Sequence, residues 1–154
     1  MACEFKLRRQ VEFAETDMAG IMHFANYFRF MEEAEHAFFR SLGLSIHMKT
    51  DEGLVTWPRV HAECDYLLPL RFEDDVEVHL RVQERKPKAI HFHFVFRRLN
   101  ASPPEEVARG RVITVCVTYD PAAGRMSAIE IPPAVAALIE PAPQAGFAPA
   151  QEAR

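Results

Sequence analysis

The sequence lacks several features that would point to common kinds of protein. No apolar run approaches the length needed to cross a bilayer, so we expect no transmembrane helix. The first residues, MACEFKLRRQ, lack the charged-then-apolar pattern of a secretory signal. With 18 Lys and Arg against 22 Asp and Glu, the chain also lacks the basic excess of a nucleic-acid binder. We therefore expect a cytoplasmic protein with no membrane or nucleic-acid partner.

Cysteine is scarce and widely spaced. Cys3, Cys64 and Cys116 form no CxxC motif, which favours reduced thiols over a disulfide framework or a zinc site. His91 and His93 point the same way from a predicted strand, but no acidic or cysteine partner has a matching spacing. The sequence therefore predicts no metal site.

Glycine and serine motifs of common enzymes are missing too. The six glycines form neither GxGxxG nor a P-loop, so a phosphate-binding glycine loop is not expected. There is no GxSxG, which removes support for a serine hydrolase triad. Any catalysis must use other side chains, and we expect no cofactor.

What the chain does contain is a strand, a loop and one long apolar helix between Val11 and Leu44. Alternation predicts a strand over Phe5–Phe13, and the pattern breaks at Ala14–Ile21. Helical spacing predicts a helix from about Phe24 to Leu42, ended by the cap glycine Gly43. The main apolar stripe of this helix is Tyr27, Phe28, Met31, Ala34, Phe38 and Leu42. A stripe this wide predicts a helix covered on more than one side.

Four further strands alternate apolar and polar residues, which is typical of antiparallel sheets with one face in water. The last of them carries Ile113, Val115 and Val117 on one face. A short helix is predicted at Pro133–Ile139, with proline at its start. The predicted strands are Arg59–Tyr66, Val76–Gln83, Ile90–Arg97 and Val107–Tyr119.

These elements predict a single α+β domain over residues 1–139. A curved antiparallel sheet of about five strands should wrap the long helix, since each can bury its apolar face only against the other. Residues 140–154 are rich in Ala and Pro, and we expect this tail to be disordered or loosely attached. An open sheet has unpaired edges, and a homodimer would pair one of them.

Asp17 lies alone in the loop before the helix, flanked by apolar residues. Desolvation would raise its pKa and make the carboxylate a stronger base or nucleophile. The nearby helix start offers unpaired backbone N–H groups that suit the oxyanion formed when a carbonyl is attacked. A helix cap or a turn explains an aspartate at this position equally simply.

The run DMAGIMHFANY, which begins at Asp17, follows Glu12–Phe13 and precedes an acidic residue near Glu32. It resembles the active-site segment of the 4-hydroxybenzoyl-CoA thioesterase family in the hot-dog superfamily. The later run YLLPLRFEDD, Tyr66 to Asp75, resembles that family's second-strand exit. The resemblance implies a central helix wrapped by an antiparallel sheet, and a homodimer or dimer of dimers with sites at the interface. It gives Asp17 the catalytic position and the Phe24 backbone N–H the thioester-carbonyl donor position.

Four more residues are candidate substrate contacts. His23 lies beside the proposed donor, where the family commonly has an aromatic or Tyr-His pair. Asn26 and Tyr27 would orient substrate or water, although a helix cap and a core position explain them as well. The resemblance places Lys88 near a nucleotide-contacting position, and a solvated turn with Arg85 and Lys86 is the alternative reading.

The sequence thus predicts an acyl-CoA or aroyl-CoA thioester hydrolase whose partner molecule is a coenzyme A thioester. Asp17 would act as nucleophile or as general base, and the acyl group stays undefined. Two alternatives remain open. One is a non-catalytic domain that binds acyl-CoA or acyl-carrier protein, and the other is hydratase or dehydratase chemistry that pairs an acid with His23.

Overall fold

The computed structural model of the protein describes residues 1–50 and 53–147. Within these ranges the chain forms two α-helices and nine strands. Short 3-10 turns occur at Phe13–Glu15 and Gln144–Gly146. In chain order the elements are β1 (Glu4–Gln10), α1 (Asn26–Ser41), β2 (Met48–Thr50), β3 (Gly53–Thr56), β4 (Arg59–Tyr66), β5 (Asp75–Arg85), β6 (Ala89–Arg98), β7 (Glu105–Val115), β8 (Val117–Asp120), β9 (Arg125–Ala128) and α2 (Pro133–Ala136).

The main sheet has five antiparallel strands in the order β1–β5–β6–β7–β4, and α1 packs on one of its faces. This is the predicted arrangement of a long helix against a sheet of five strands. A second, four-stranded sheet in the order β2–β3–β8–β9 was not predicted. Its strands β2 and β3 lie in a stretch where no strand was predicted, and Cys116 divides the last predicted strand into β7 and β8.

The helix α1 begins two residues later than predicted, at Asn26, with Ala25 at the N-cap position. Phe24 therefore lies in the turn that leads into the helix. The far end agrees with the prediction. Gly43 has a φ of +72°, and its N–H donates to Arg40 O at 3.0 Å, as in a glycine that ends a helix.

The core lies between α1 and the inner face of the sheet. The even-numbered apolar residues of β5 and β6 are fully buried, as the alternation predicted, and so are the helix residues that face them. In β7 the face that carries Ile113 and Val115 is not the buried one. Ile113 and Val115 lie on the outer face, whereas Val112, Thr114 and Cys116 point inward. Because those inward residues are less apolar, periodicity alone favoured the wrong face. The largest buried side chains include Phe30, Phe38, Phe39, Phe92, Phe94 and Phe96.

The beginning of the predicted tail packs against the sheet. The Ala142 N–H donates to Val82 O at 2.7 Å, and the Ala142 side chain is buried. The Arg81 guanidinium lies over the Phe147 ring, 4.5 Å from its centroid. Residues 140–147 thus differ from the loose attachment expected, because Phe147 supplies an apolar anchor; residues 148–154 lie outside the described residues.

Strand β4, at one edge of the main sheet, is exposed on both faces. Val60 is 63% exposed and Tyr66 is 46% exposed. Alternation predicted a buried face for these residues, and a single chain does not supply one. No helix in the described part of the chain is long and apolar enough to cross a membrane.

Candidate active site

Asp17 opens a tight turn between Thr16 and Met22, which form an isolated antiparallel bridge. The Asp17 N–H donates to Ile21 O, and the Gly20 N–H donates to Asp17 O, both at 2.9 Å. Gly20 has a φ of +73°, which a residue with a side chain adopts only under strain. The local sequence therefore fixes the backbone of Asp17.

The Asp17 side chain is half-buried, and Oδ1 accepts the Ala19 N–H at 2.8 Å. No donor among residues 1–50 and 53–147 hydrogen-bonds Oδ2. One oxygen thus fixes the orientation of the carboxylate, and the other has no hydrogen-bond donor in the described part of the chain.

His23 and Asn26 fix the path of the chain into α1. The His23 N–H and the Asn26 amide both donate to Glu15 O at 2.8 Å. The His23 carbonyl accepts the Asn26 N–H at 2.9 Å, and its Nδ1 accepts the Ala25 N–H at 3.2 Å. Nδ1 must be unprotonated to accept this bond. These contacts give both side chains a backbone-anchoring role.

Phe24 lies between these anchors, and its N–H has no acceptor among the described residues. Its carbonyl accepts a hydrogen bond from the Tyr66 hydroxyl at 3.0 Å. Burial raises the pKa of Tyr66 to about 12, so the hydroxyl stays protonated as a donor at neutral pH. The peptide of Phe24 is therefore held at its carbonyl and leaves its N–H available.

A cavity of about 420 Å³ lies between the Asp17 turn, the start of α1 and the segment after β4. Both Asp17 and Phe24 line it. Tyr27 is 3% exposed and packs edge-on against Tyr66, with ring centroids 5.0 Å apart. The cavity is lined by Asp17, Ile21, Met22, Phe24, Tyr27, Tyr66, Leu67, Leu68 and Pro69. Asp17, which has an unbonded carboxylate oxygen, and Phe24, which has an unbonded N–H, thus line one mostly apolar pocket.

The structure brings three of the six predicted site residues to this cavity: Asp17, Phe24 and Tyr27. His23 and Asn26 lie next to it without lining it. Tyr66 also lines the cavity, and its bond to Phe24 was not predicted. That contact joins residues 42 positions apart and leaves no local signal in the sequence.

Lys88 does not lie near Asp17 within one chain. The Asp17 turn is at the end of the sheet where β5 begins, since the Val11 N–H donates to Asp74 O. Lys88 follows the other end of β5, whose 11 residues correspond to about 33 Å. Its Nζ donates to Ala128 O at 3.3 Å. Within one chain, Lys88 and Asp17 therefore lie at opposite ends of the main sheet.

The predicted histidine pair is not arranged as a metal site. His91 lies 3.3 Å from Glu84, and the His93 ring lies edge-on to the Phe147 ring at 5.4 Å. In the described ranges no group of three or more His, Cys, Asp or Glu side chains is placed to hold a metal ion.

A family model for the thioesterase-like superfamily matches residues 11–139. The chain belongs to this superfamily. A solved protein of Aquifex aeolicus is 31% identical, with a TM-score of 0.76 over 88% of this chain and 99% of that one. A 1,4-dihydroxy-2-naphthoyl-CoA hydrolase of Prochlorococcus marinus is 34% identical over 98 residues, which span 59% of this chain and 65% of that protein.

The third relative is the 4-hydroxybenzoyl-CoA thioesterase of Pseudomonas sp. strain CBS-3. In sequence it is 27% identical over 135 residues, or 86% of this chain and 94% of that enzyme. Its solved structure superimposes with a TM-score of 0.76 at 22% identity, over 89% of this chain and 99% of that one. The chain therefore has the hot-dog fold, and the predicted family is confirmed.

Proposed function

We propose that this chain hydrolyses acyl or aroyl thioesters of coenzyme A at the cavity between Asp17 and Phe24. The observation that carries the proposal is that both an unbonded carboxylate oxygen and an unbonded backbone N–H belong to residues lining one pocket. Membership of the thioesterase-like superfamily supports the reaction class. The names of the relatives support coenzyme A as the thiol.

The chemistry requires a nucleophile, a site for the oxyanion and a leaving group. Asp17 either attacks the thioester carbonyl, giving an acyl anhydride that water then cleaves, or removes a proton from an attacking water. In both routes the carbonyl oxygen becomes negative and accepts the Phe24 N–H. The C–S bond then breaks, and the thiol of coenzyme A leaves as a thiolate. Tyr66 holds the Phe24 peptide through its carbonyl and acts as a positioning residue.

A second copy of the chain completes this site in our proposal. Antiparallel pairing of β4 with its symmetry mate would bring Tyr66 of one copy near the strand start at Arg59 of the other. Within that copy, Arg59 pairs with Thr114, and the next residue, Val115, pairs with Ala89. Arg59 and Lys88 therefore lie at the same end of the main sheet. Lys88 of the second copy would then lie at the end of the dimer where Asp17 of the first copy lies. This supports Lys88 as a substrate contact across the interface.

Hydratase or dehydratase chemistry is less well supported, because it needs a free histidine beside the acid. His23 does not line the cavity that Asp17 lines, and its Nδ1 already accepts the Ala25 N–H at 3.2 Å. The geometry favours hydrolysis over this alternative.

Replacement of Asp17 by Asn tests the proposal. We expect Asp17→Asn to lower kcat for an acyl-CoA thioester by about a hundredfold to ten-thousandfold, because the amide can neither attack nor accept a proton. Free-thiol release over a panel of acyl-CoA and acyl-carrier-protein thioesters measures the rate and the acyl preference. Circular dichroism and sedimentation should show an unchanged fold and oligomeric state.

Asp120→Asn is the matched control. Asp120 also accepts backbone N–H groups in a turn, from Ala122 at 3.0 Å and Ala123 at 3.3 Å, but it is the last residue of β8. The Asp120→Asn variant should retain wild-type rates of thioester hydrolysis. Full turnover by Asp17→Asn would remove Asp17 from the mechanism, and binding without turnover in the wild type would identify a non-catalytic domain. In isotopically labelled water, label found in Asp17 would identify the anhydride route, because water then cleaves the anhydride at the aspartyl carbonyl.

A further inference from the structure

Two phenylalanine side chains are exposed next to the Asp17 turn. Phe13 is 75% exposed and Phe72 is 51% exposed. Their rings meet edge to face, with centroids 5.8 Å apart and an interplanar angle of 87°. Two adjacent aromatic rings in water do not gain the free energy of burial that they would have in the core. An exposed pair of this kind indicates a binding surface more strongly than a single exposed side chain does.

Arg71 precedes Phe72 and is exposed. Its Nη1 lies 3.4 Å from Gly20 O, at the end of the Asp17 turn. No carboxylate in residues 1–50 and 53–147 pairs with it, not even that of nearby Glu73. This distinguishes Arg71 from the arginines that form ion pairs, which are Arg8, Arg9, Arg59, Arg81, Arg97, Arg98, Arg109 and Arg111.

The loop that carries Arg71 and Phe72 is held firmly. The Arg71 N–H donates to the buried Asp74 carboxylate at 2.8 Å, and Asn100 donates to the same carboxylate at 3.1 Å. Leu70 is fully buried, and its carbonyl accepts the Met22 N–H at 2.7 Å. A preorganised loop presents its exposed groups to a ligand at low entropic cost.

We infer that Phe13, Arg71 and Phe72 form the subsite for the adenine nucleotide of the coenzyme A thioester, on the same chain as Asp17. This inference rests on the proposed hydrolase function and locates the part of the substrate that does not react. The aromatic faces stack on adenine, and the unpaired guanidinium binds a phosphate. Pro69 lines the cavity and lies two residues before Arg71, so the pantetheine arm leaves the cavity along this segment.

The position of the subsite follows from what each part of the substrate needs. The thioester must enter the apolar cavity, whereas the nucleotide is anionic and stays in contact with water. Arg71 can make charge-assisted bonds to phosphate without first breaking an ion pair, and such bonds are among the stronger ones in water-exposed sites. Lys88 of a second copy can contact another phosphate of the same nucleotide.

Two substrates with the same acyl group separate the nucleotide from the reacting end: the full coenzyme A thioester and the pantetheine thioester, which lacks the nucleotide. We expect Arg71→Gln to raise KM for the coenzyme A thioester about tenfold with little change in kcat. The same variant should hydrolyse the pantetheine thioester as the wild type does. Phe72→Leu should weaken binding of coenzyme A but not of phosphopantetheine, since only the former carries adenine.

Arg40→Gln is the matched control, because Arg40 is exposed and lies in the last turn of α1, away from the Asp17 turn. It should leave both substrates unaffected. Equal KM values for wild type and Arg71→Gln on the coenzyme A thioester would overturn the subsite. The subsite would also be overturned if Lys88→Gln, but not Arg71→Gln, raised KM for the coenzyme A thioester alone. That result would place the nucleotide wholly at the Lys88 turn of the second copy.

Calorimetry with free coenzyme A keeps this test independent of turnover. The wild type should bind, and Arg71→Gln should bind about tenfold more weakly. Absence of wild-type binding overturns the subsite, and binding without hydrolysis of any thioester overturns only the proposed function.

Discussion

Glu35 is a carboxyl group inside the core, and its spacing from Met31 and Phe38 puts it on the apolar stripe of α1. It is 1% exposed. Arg59 donates to its Oε2 at 2.8 Å and also lies 3.3 Å from Glu32. Oε1 is buried and has no partner in the described part of the chain. Burial raises the pKa of Glu35 to about 7, and Arg59 offsets only part of this.

Stability should therefore fall as pH rises. In the unfolded chain the carboxyl releases its proton near its ordinary pKa of 4.5, whereas the folded chain holds the proton until about 7. Between pH 5 and 8 we expect Glu35 to lower the unfolding free energy by about 2 to 3 kcal/mol. Urea titrations at several pH values should show this slope in the wild type and lose it in Glu35→Gln. Subtracting the variant removes contributions from other groups, including the histidines.

The exposed carboxylate Glu130 supplies the control. Glu130→Gln should keep the wild-type slope, since that side chain is in water. If Glu35→Gln also keeps the wild-type dependence of stability on pH, Glu35 is ionised throughout this range. The ion pair with Arg59 would then lower the pKa of Glu35 by more than burial raises it.

At the scale of elements, the Met31 side chain of α1 packs directly on the backbone of β7 because Gly110 has no side chain. A Cβ at Gly110 would overlap the sulfur of Met31, which is 1% exposed. The backbone of Gly110 is not in the left-handed region, so space rather than conformation requires glycine here. The Met31 side chain therefore fills the space that a side chain at position 110 would need.

We expect Gly110→Ala to lower the unfolding free energy by about 1 to 3 kcal/mol, because Met31 must leave its place in a packed core. Met31→Ala creates space at the same point. In the double variant the added methyl group fills part of that space, so the two losses should not add. A urea double-mutant cycle measures the coupling, and strict additivity would show that Met31 adjusts without strain.

At the scale of the whole molecule, β4 is the edge strand of the main sheet that a single chain leaves exposed on both faces. Its apolar residues face water, although the strand borders the cavity through Tyr66. Pairing with the β4 strand of a second copy would give hydrogen-bond partners to the backbone groups at this edge and would cover those residues. We therefore propose the homodimer as the active unit.

Val60→Glu tests this proposal, because a charge at a buried interface is costly. We expect the variant to sediment as a monomer and to lose thioesterase activity while remaining folded. Met126→Glu is the matched control, since Met126 is equally exposed at 62% but lies on β9. An active wild-type monomer, or a Val60→Glu dimer of unchanged stability, would contradict the dimer.

Much of the fold and part of the site were predictable from the sequence, because they depend on neighbours along the chain. Alternation located β5 and β6 and their inner faces, and helical spacing located α1 to within two residues. The Asp17 turn was recognised from its local run of residues. The second sheet was missed because its strands are short and gain stability only by pairing with one another.

The sequence by itself determined the family, the central helix and the acid at its approach, since each follows from local pattern. Only the tertiary structure decided that Tyr66 holds the Phe24 peptide, that Glu35 is buried and that Arg71 lies beside Gly20. It also showed that Lys88 lies at the opposite end of the sheet from Asp17. These relations join residues far apart in the chain, and register and packing fix them, which no local periodicity records.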